Sequence, residues 1–399
     1  MKTDKRIYIG IDFSKDKFDA CIRQDSRIVA QAEIANNKSG FRQFLKWVKS
    51  SVADQKSFSY ENVIVCGEHT GSCSIALSEY LHAKKIKIWL ENALLIKNSS
   101  GFSRLKTDKA DAERIALYAE RFYQEDLTPL FKPEPEDLKK LRALYTFRER
   151  LVKERVSLNN AFKSEAFKHS RTANSLLAKH IQADQKAEKE IKAEIENFLL
   201  ESPELSANFR ILTSFKGIGT LTAAVLLLYT SNFSKFDDPR KFACFCGIAP
   251  FGKQSGCSVH TKPHVSHYAH IAVKAALTES ARNAMRYNPA IREYAARLSA
   301  KGKPDYVVLN NVKNKIIHII FKMIATRQLW DENFGKKDTS GNESPRFLGG
   351  TKKGATEAAP SDKSVQRSPS VLGGATKIRK SPKNGKSSKK SCPKICTNT

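Results

Sequence analysis

The chain has 399 residues, 40% apolar and 28% charged, the balance of a water-soluble protein with room for two or three domains. No apolar run approaches the roughly eighteen residues that would span a bilayer, and the charged start from Met1 to Asp12 is not that of a signal peptide. Lys and Arg number 69 against 41 Asp and Glu, a formal charge of +28.

Part of that excess sits at the end of the chain. Residues 335–399 hold 15 basic and 4 acidic side chains, a net of +11, so the rest keeps +17. One sign dominates the main body as well, which points to a polyanionic partner. Eight scattered cysteines without a CxxC pair fit a reducing, cytoplasmic setting and no disulfide framework.

In chain order, "RIYIGIDF", "KFDACIR" and "RIVAQAEIA" are three β-prone runs between short polar turns, an antiparallel meander. A helical pattern follows over Lys38–Val48, then the continuous apolar strand "NVIVCGE" ending at Glu68. A helix near Ser74–Ala83, the strand "IKIWLE" and the helix "DKADAERIALYAERFY" complete residues 1–128. Three meander strands followed by βα units on one sheet is the plan of an α/β ribonuclease-H-like (RuvC-like) domain.

Residues 129–205 change character. Leu138, Leu141, Leu144, Leu151 and Leu158 recur at helical spacing, continued by Ile191, Ile195 and Phe198, with charges between them. This is long helix with coiled-coil tendency. Two readings are open, a hairpin packed within one chain or a spacer and dimerisation arm. Residues 206–334 read as an all-α globule, with helices expected from about Ser266, Pro289 and Asp305. The Ser/Lys/Gly/Pro-rich stretch 335–399 has no apolar period and is expected to be a disordered basic tail, in weak contact with nucleic acid or none.

Four carboxylates stand at element ends. Asp12 closes the first strand, Glu68 closes the fourth, and Asp108 and Asp111 share one face at a helix start. Each has a plain reading: a turn for Asp12, a solvent loop for Glu68, an N-cap for Asp108. In a ribonuclease-H-like sheet, however, these positions converge. Four acids there repel one another unless dications neutralise them, and two magnesium ions can clamp the attacking and leaving oxygens of a phosphodiester.

"FKGIGTLTAAVL" has the form of a helix-hairpin-helix turn. Gly217 and Gly219 allow a tight turn, the following helix presents N–H groups to a phosphate, and Lys216 adds charge. A plain helix–helix turn is the competing reading. In "FGKQSGCSV", Ser255 is either a turn hydroxyl or a nucleophile; Ser-Gly alone does not decide. Cys257, His260, His264, His267 and His270 crowd nearby, but their spacing matches no tetrahedral zinc pattern well, and His267 and His270 suit helical packing or phosphate contact.

"IYIGIDFSKDKFDACI", "GEHTG", "KTDKADAERIALYA", "LTSFKGIGTLTAAVLL", "FACFCGIAPFGKQSG" and "VLNNVKNKIIHIIFKMI" occur in that order between Ile7 and Trp330. The ordered set resembles the DEDD-type transposases of the insertion-sequence-one-ten family, which includes the pilin-inverting recombinases. The resemblance implies that Asp12, Glu68, Asp108 and Asp111 are the magnesium-binding tetrad and that Ser255 is a nucleophile attacking DNA. It also implies a structured non-coding guide RNA pairing with donor and target DNA, and a homodimer or homotetramer in which one protomer's serine meets another's acids. Lys253 and Lys262 become plausible phosphate contacts, and Gly256 a point of close backbone approach. The expected function is that of an insertion-sequence transposase in a bacterial cytoplasm, associated with the nucleoid. A Holliday-junction-type endonuclease using the acids and water, or an inactive nucleic-acid-binding protein, are the alternatives.

Overall fold

The computed structural model describes residues 6–52, 58–69, 71–99, 107–165, 169–252, 254–255, 259–260, 263–266 and 268–331, with the backbone alone at 254–255 and 259–260. The expected disordered tail, 335–399, lies outside the described residues, as do Lys253, Gly256, Cys257, Lys262 and His267.

Strands β1 (Ile7–Phe13), β2 (Lys17–Gln24) and β3 (Arg27–Ala35) form the expected meander. Asp25 and Ser26 join β2 to β3 at φ 48° and 61°, a left-handed pair that suits the twist of a two-residue hairpin. Helix α1 (Lys38–Ser51), capped by the Asn37 side chain, leads to β4 (Val63–Glu68), parallel to β1. Helix α2 (Ser72–Ala83) leads to β5 (Lys87–Glu91), parallel to β4. The sheet order is β3-β2-β1-β4-β5. A short helix that the sequence pattern did not signal, α3 (Ala93–Ser99), precedes α4 (Asp108–Phe122).

Strand alternation gives the sheet two apolar faces. Ile7, Ile9, Ile11 and Phe13 meet Phe41, Phe44, Leu77 and Leu81 of α1 and α2. On the other face Ile64, Cys66 and Trp89 pack with Ile115 and Ala119 of α4. Each enclosed Ile or Leu contributes about 1.5–3 kcal/mol, and a one-residue slip would turn a strand's whole set inside out, so the register is firmly set. Helix α4 lies directly on β1: a Cβ at Gly10 would stand 2.1 Å from the Ala116 nitrogen and 2.2 Å from the Ala112 carbonyl. At the far end Glu120 clamps the β2–β3 turn, accepting from Arg23 Nε (2.9 Å) and the Ser26 amide (2.8 Å).

Helices α5 (Glu136–Phe162) and α6 (Arg171–Glu201) run antiparallel as a hairpin within the chain, tied by Arg155 to Glu188 near one end and Ser202 to Asp137 near the other. Phe147, Val156 and Leu176 stay exposed along it. The hairpin's base, with Leu138, Leu141, Ile195 and Phe198, enters a second core built by α7 (Ser206–Ser214), α8 (Thr220–Thr230), α9 (Pro239–Phe245), α10 (Ile271–Tyr287), α11 (Pro289–Ala300) and α12 (Asp305–Thr326).

This half is not wholly α-helical, contrary to expectation. Four two-residue strands form a nested antiparallel hairpin: β6 (Pro250–Phe251) pairs with β9 (His264–Val265), and further out β7 (Gln254–Ser255) pairs with β8 (Val259–His260). The helix expected from Ser266 starts instead at Ile271, because His264 and Val265 are committed to a strand and His270 keeps an extended backbone.

Candidate active site and nucleic-acid interface

Asp12 lies opposite Asp19 in the β1–β2 register, and Asp19 lies opposite Glu33 of β3. On its other side the Ile11–Gly67 pairing brings Asp12 level with Glu68, which faces Glu91 of β5. Cross-strand partners project from the same face. Five acids therefore make one row across all five strands, on the face that α4 covers. Asp19, Glu33 and Glu91 went unnoticed in the sequence because a row across strands appears only once pairing is known.

Helix α4 adds Asp108 and Asp111 in its first turn, where the helix dipole favours negative charge. Thr107, rather than Asp108, is the N-cap; its Oγ1 accepts from the Ala110 amide at 3.3 Å. Asp111 is also held by Arg114 one turn on.

The row is electrostatically strained. Burial, followed by the charges of Asp111, Glu68, Asp108 and Asp19, pushes the Asp12 carboxyl up to about 6 from an ordinary 3.8. Glu68 is raised by burial and by Asp111, with Arg114 opposing. Asp19, only 4% exposed, is raised by burial above all, with Lys17 opposing. Glu91 is better served: Tyr118 donates to it at 3.3 Å and the Asn92 amide at 2.7 Å. Lys17 donates to Glu33 at 2.6 Å.

In donor chemistry the acids suit a hard dication, offering carboxylate oxygens whose repulsion a cation would relieve. Among the described residues, no three His, Cys, Asp or Glu side chains gather tightly enough to hold a metal by themselves. Magnesium usually takes one or two protein carboxylates, with water and substrate phosphate supplying the rest. Asp12 with Glu68 or Asp111 fits that mode.

Ser255 belongs to the other half of the chain. Its backbone pairs with Val259 near the tip of the nested hairpin, leaving residues 256–258 between them. The hairpin's root is anchored: Asn310 Nδ2 donates to the Ile248 carbonyl at 2.9 Å, and the His270 amide to the Phe245 carbonyl at 3.1 Å. His270 is a packing residue, its ring against Tyr229 (4.0 Å between centroids) and stacked on Phe245 (5.4 Å), and burial lowers its pKa.

The "FKGIG" segment does join two helices, α7 and α8. Gly217 sits at φ 131° and rests against α10, where a Cβ would come within 2.9 Å of the Ala284 nitrogen, so its bareness serves packing. Around Gly219 a Cβ would meet nothing within 4 Å, leaving the start of α8 open to a close ligand. Lys216 is exposed beside it. A carboxylate is also present there, as Glu196 of α6 accepts from Thr220 Oγ1 at 3.0 Å.

A sheet bearing a row of half-buried acids, in a strongly basic chain, defines an enzyme that acts on nucleic acid. Residues 9–165 match the model of the DEDD transposases of the IS110 type, and residues 209–296 match that described as "Transposase IS116/IS110/IS902 family"; together they span more than half the chain. The chain is 27% identical over 336 residues to the pilin gene-inverting protein of Moraxella bovis, covering 82% of this chain and 98% of that one. The Moraxella lacunata protein of the same name matches equally, at 27% over 336 residues. The insertion element IS110 uncharacterized 43.6 kDa protein of Streptomyces coelicolor is 35% identical over 152 residues, 38% of this chain and 35% of its own length. The chain belongs to the IS110 family of transposases, and its activity is that of a DNA transposase or recombinase. None of its described helices is long and apolar enough to cross a membrane.

Proposed function

We propose that this transposase cuts and rejoins donor and target DNA with the acids Asp12, Glu68, Asp108 and Asp111 and the hydroxyl of Ser255, guided by a structured non-coding RNA of its own element. The observation behind the reading is the convergence on Asp12 of charges from α4, β4 and β2. The sheet order β3-β2-β1-β4-β5, with its one antiparallel meander and two parallel strands, supports a ribonuclease-H-like assignment for residues 1–128. Residues 129–205 then act as the spacer and residues 206–334 as the serine-bearing domain.

Magnesium bound by these acids would lower the charge barrier to attack on a phosphodiester. The protein's own part is to hold the acids in register along the sheet, and to keep Asp111 oriented by Arg114. On the other half, the anchored hairpin presents Ser255. Its oxygen would bond to phosphorus while a deoxyribose oxygen leaves and takes up a proton, leaving a phosphoserine that the reverse step resolves on a new strand. Lys253, Lys262 and Lys216 would contact phosphates, and Gly256 and Gly219 would admit the backbone. Because acids and serine come from different halves, a homodimer or homotetramer can pair one protomer's serine with another's acids. Similarity to proteins named for inverting a gene supports rearrangement of DNA in a bacterial cytoplasm, near the nucleoid.

The acids all lie in the sheet half, and that favours hydrolysis by water as the second reading. Recombination between two plasmids carrying the element ends, with the flanking RNA supplied, separates the two. Ser255→Ala is expected to abolish joining by about three orders of magnitude or more while RNA binding persists. Joining at wild-type rate by Ser255→Ala would leave only the hydrolytic reading.

A further inference from the structure

Helices α10, α11 and α12 follow one another through tight joints. Asn288, fully buried, ends α10 and begins α11: its amide donates to the Ala284 carbonyl at 2.9 Å, and its Oδ1 accepts from the Ile291 amide at 3.4 Å. Gly302, at φ 72°, turns the chain from α11 toward α12. Each helix also sinks apolar side chains into the helical core, Ala281 from α10, Ile291 from α11 and Val312 from α12. Their mutual spacing is therefore set by packing.

An open groove of about 660 Å³ lies between the three, a volume within the ~300–1,000 Å³ range of small-ligand sites. Met285 and Val308 give it apolar lining, while Arg282, Arg292, Asp305 and Tyr306 bring polar groups to the same groove. Tyr306 is 77% exposed, a large ring spent on no core contact. Arg282 leans on Glu279 at 2.7 Å, and the Arg292 guanidinium is steered by the Arg286 carbonyl. Among the described residues neither Arg292 nor Asp305 forms an ion pair. Asp305 stands in the first turn of α12, where the helix dipole favours its charge.

This mixture selects the ligand. Arginines alone would suit a bare phosphate chain, but a carboxylate among them repels phosphate and calls for N–H donors. An apolar lining with an exposed ring suits a flat aromatic body. An unpaired nucleobase meets both demands when its phosphate can reach an arginine. Guanine meets them best, because its pairing edge offers a carboxylate two adjacent donors, N1–H and N2–H. We infer that this groove binds an unpaired guanine nucleotide of the nucleic acid on which the protein acts. Tyr306 stacks on the base, Asp305 accepts from its pairing edge, and Arg292 meets its phosphate. The inference rests on the chain acting on nucleic acid, and is independent of the metal, the serine chemistry and the guide role of RNA. Because the groove is shaped before binding, little freedom is lost when it fills.

The test uses the full chain and short fluorescent single strands, all thymine or with one central guanine, and their RNA counterparts in uracil. Wild type is expected to bind the guanine strand at least about fivefold more tightly than its all-pyrimidine partner. Tyr306→Ala and Asp305→Asn are each expected to erase that preference, and Tyr306→Phe, which keeps the ring, to retain it. Arg292→Gln should make the log–log salt slope for the guanine strand shallower by about 0.7. A preference confined to the deoxy strands assigns the nucleotide to DNA, and one confined to the ribo strands assigns it to RNA. Equal binding of guanine and all-pyrimidine strands by wild type overturns the site, as does a preference that survives both Tyr306→Ala and Asp305→Asn. An unchanged salt slope in Arg292→Gln removes the phosphate contact. Loss of strand joining in the wild type would count against the proposed function and leave these measurements intact.

Discussion

The two halves of the molecule handle charge in opposite ways. In the sheet half, like charges are concentrated: five acids in register, two more from α4, and an Asp12 carboxyl pushed to about 6. The central strands β1, β2 and β4, buried along nearly their whole length, hold Asp12, Asp19 and Glu68 in register. In the helical half charges are paired singly, Lys241 with Asp237 and Arg282 with Glu279, and Ser255 lies on a thin hairpin of two-residue ladders with an anchored root. The acid row is fixed by strand pairing, whereas the hairpin depends on its anchored root.

The strongest way to break this comparison is Asp12→Asn. Strand joining is expected to fall by about three orders of magnitude or more, measured in the plasmid assay. Stability should move the other way. The folded pKa lies above the unfolded value, so the folded chain holds more protons between them, and stability is lost as pH rises from about 4 to 6. Above that range the variant should be more stable than wild type by up to about 3 kcal/mol, and below about pH 4 the two should converge, as read by chemical denaturation without added metal. Parallel stability curves at all pH values would show that the acid row carries no strain.

Gly217→Ala probes the helical half, where backbone packing rather than charge is at stake. A methyl group there meets the Ala284 backbone at φ 131°, and a loss of about 1–3 kcal/mol is expected in the same denaturation experiment. Asp19→Asn sharpens the contrast with the smallest effect. Removing one buried like charge should weaken the pull on a dication, raising the magnesium concentration for half-maximal joining by about fivefold with the maximal rate kept. A fall in maximal rate at unchanged magnesium dependence would make Asp19 a packing residue.

Much of the fold was legible in the sequence. Period-two and continuous apolar runs marked all five strands of the main sheet, and the leucine spacing marked long helix within residues 129–205 without deciding between a hairpin and an arm. The four acids at element ends could be named singly, since each closes a strand or opens a helix. Asp19, Glu33 and Glu91 could not, because register between strands is a tertiary fact. Two-residue ladders are too short for any period, which hid β6 to β9 inside a segment read as loop and helix.

One further consequence follows from Gly10. A helix moves as a rod, and α4 stands on β1 at the single residue that offers only a hydrogen. Any larger residue would jack up the whole rod, and Asp108 and Asp111 at its tip would swing clear of Asp12. The gauge of the acidic pocket is thus machined two residues upstream of the acid it serves.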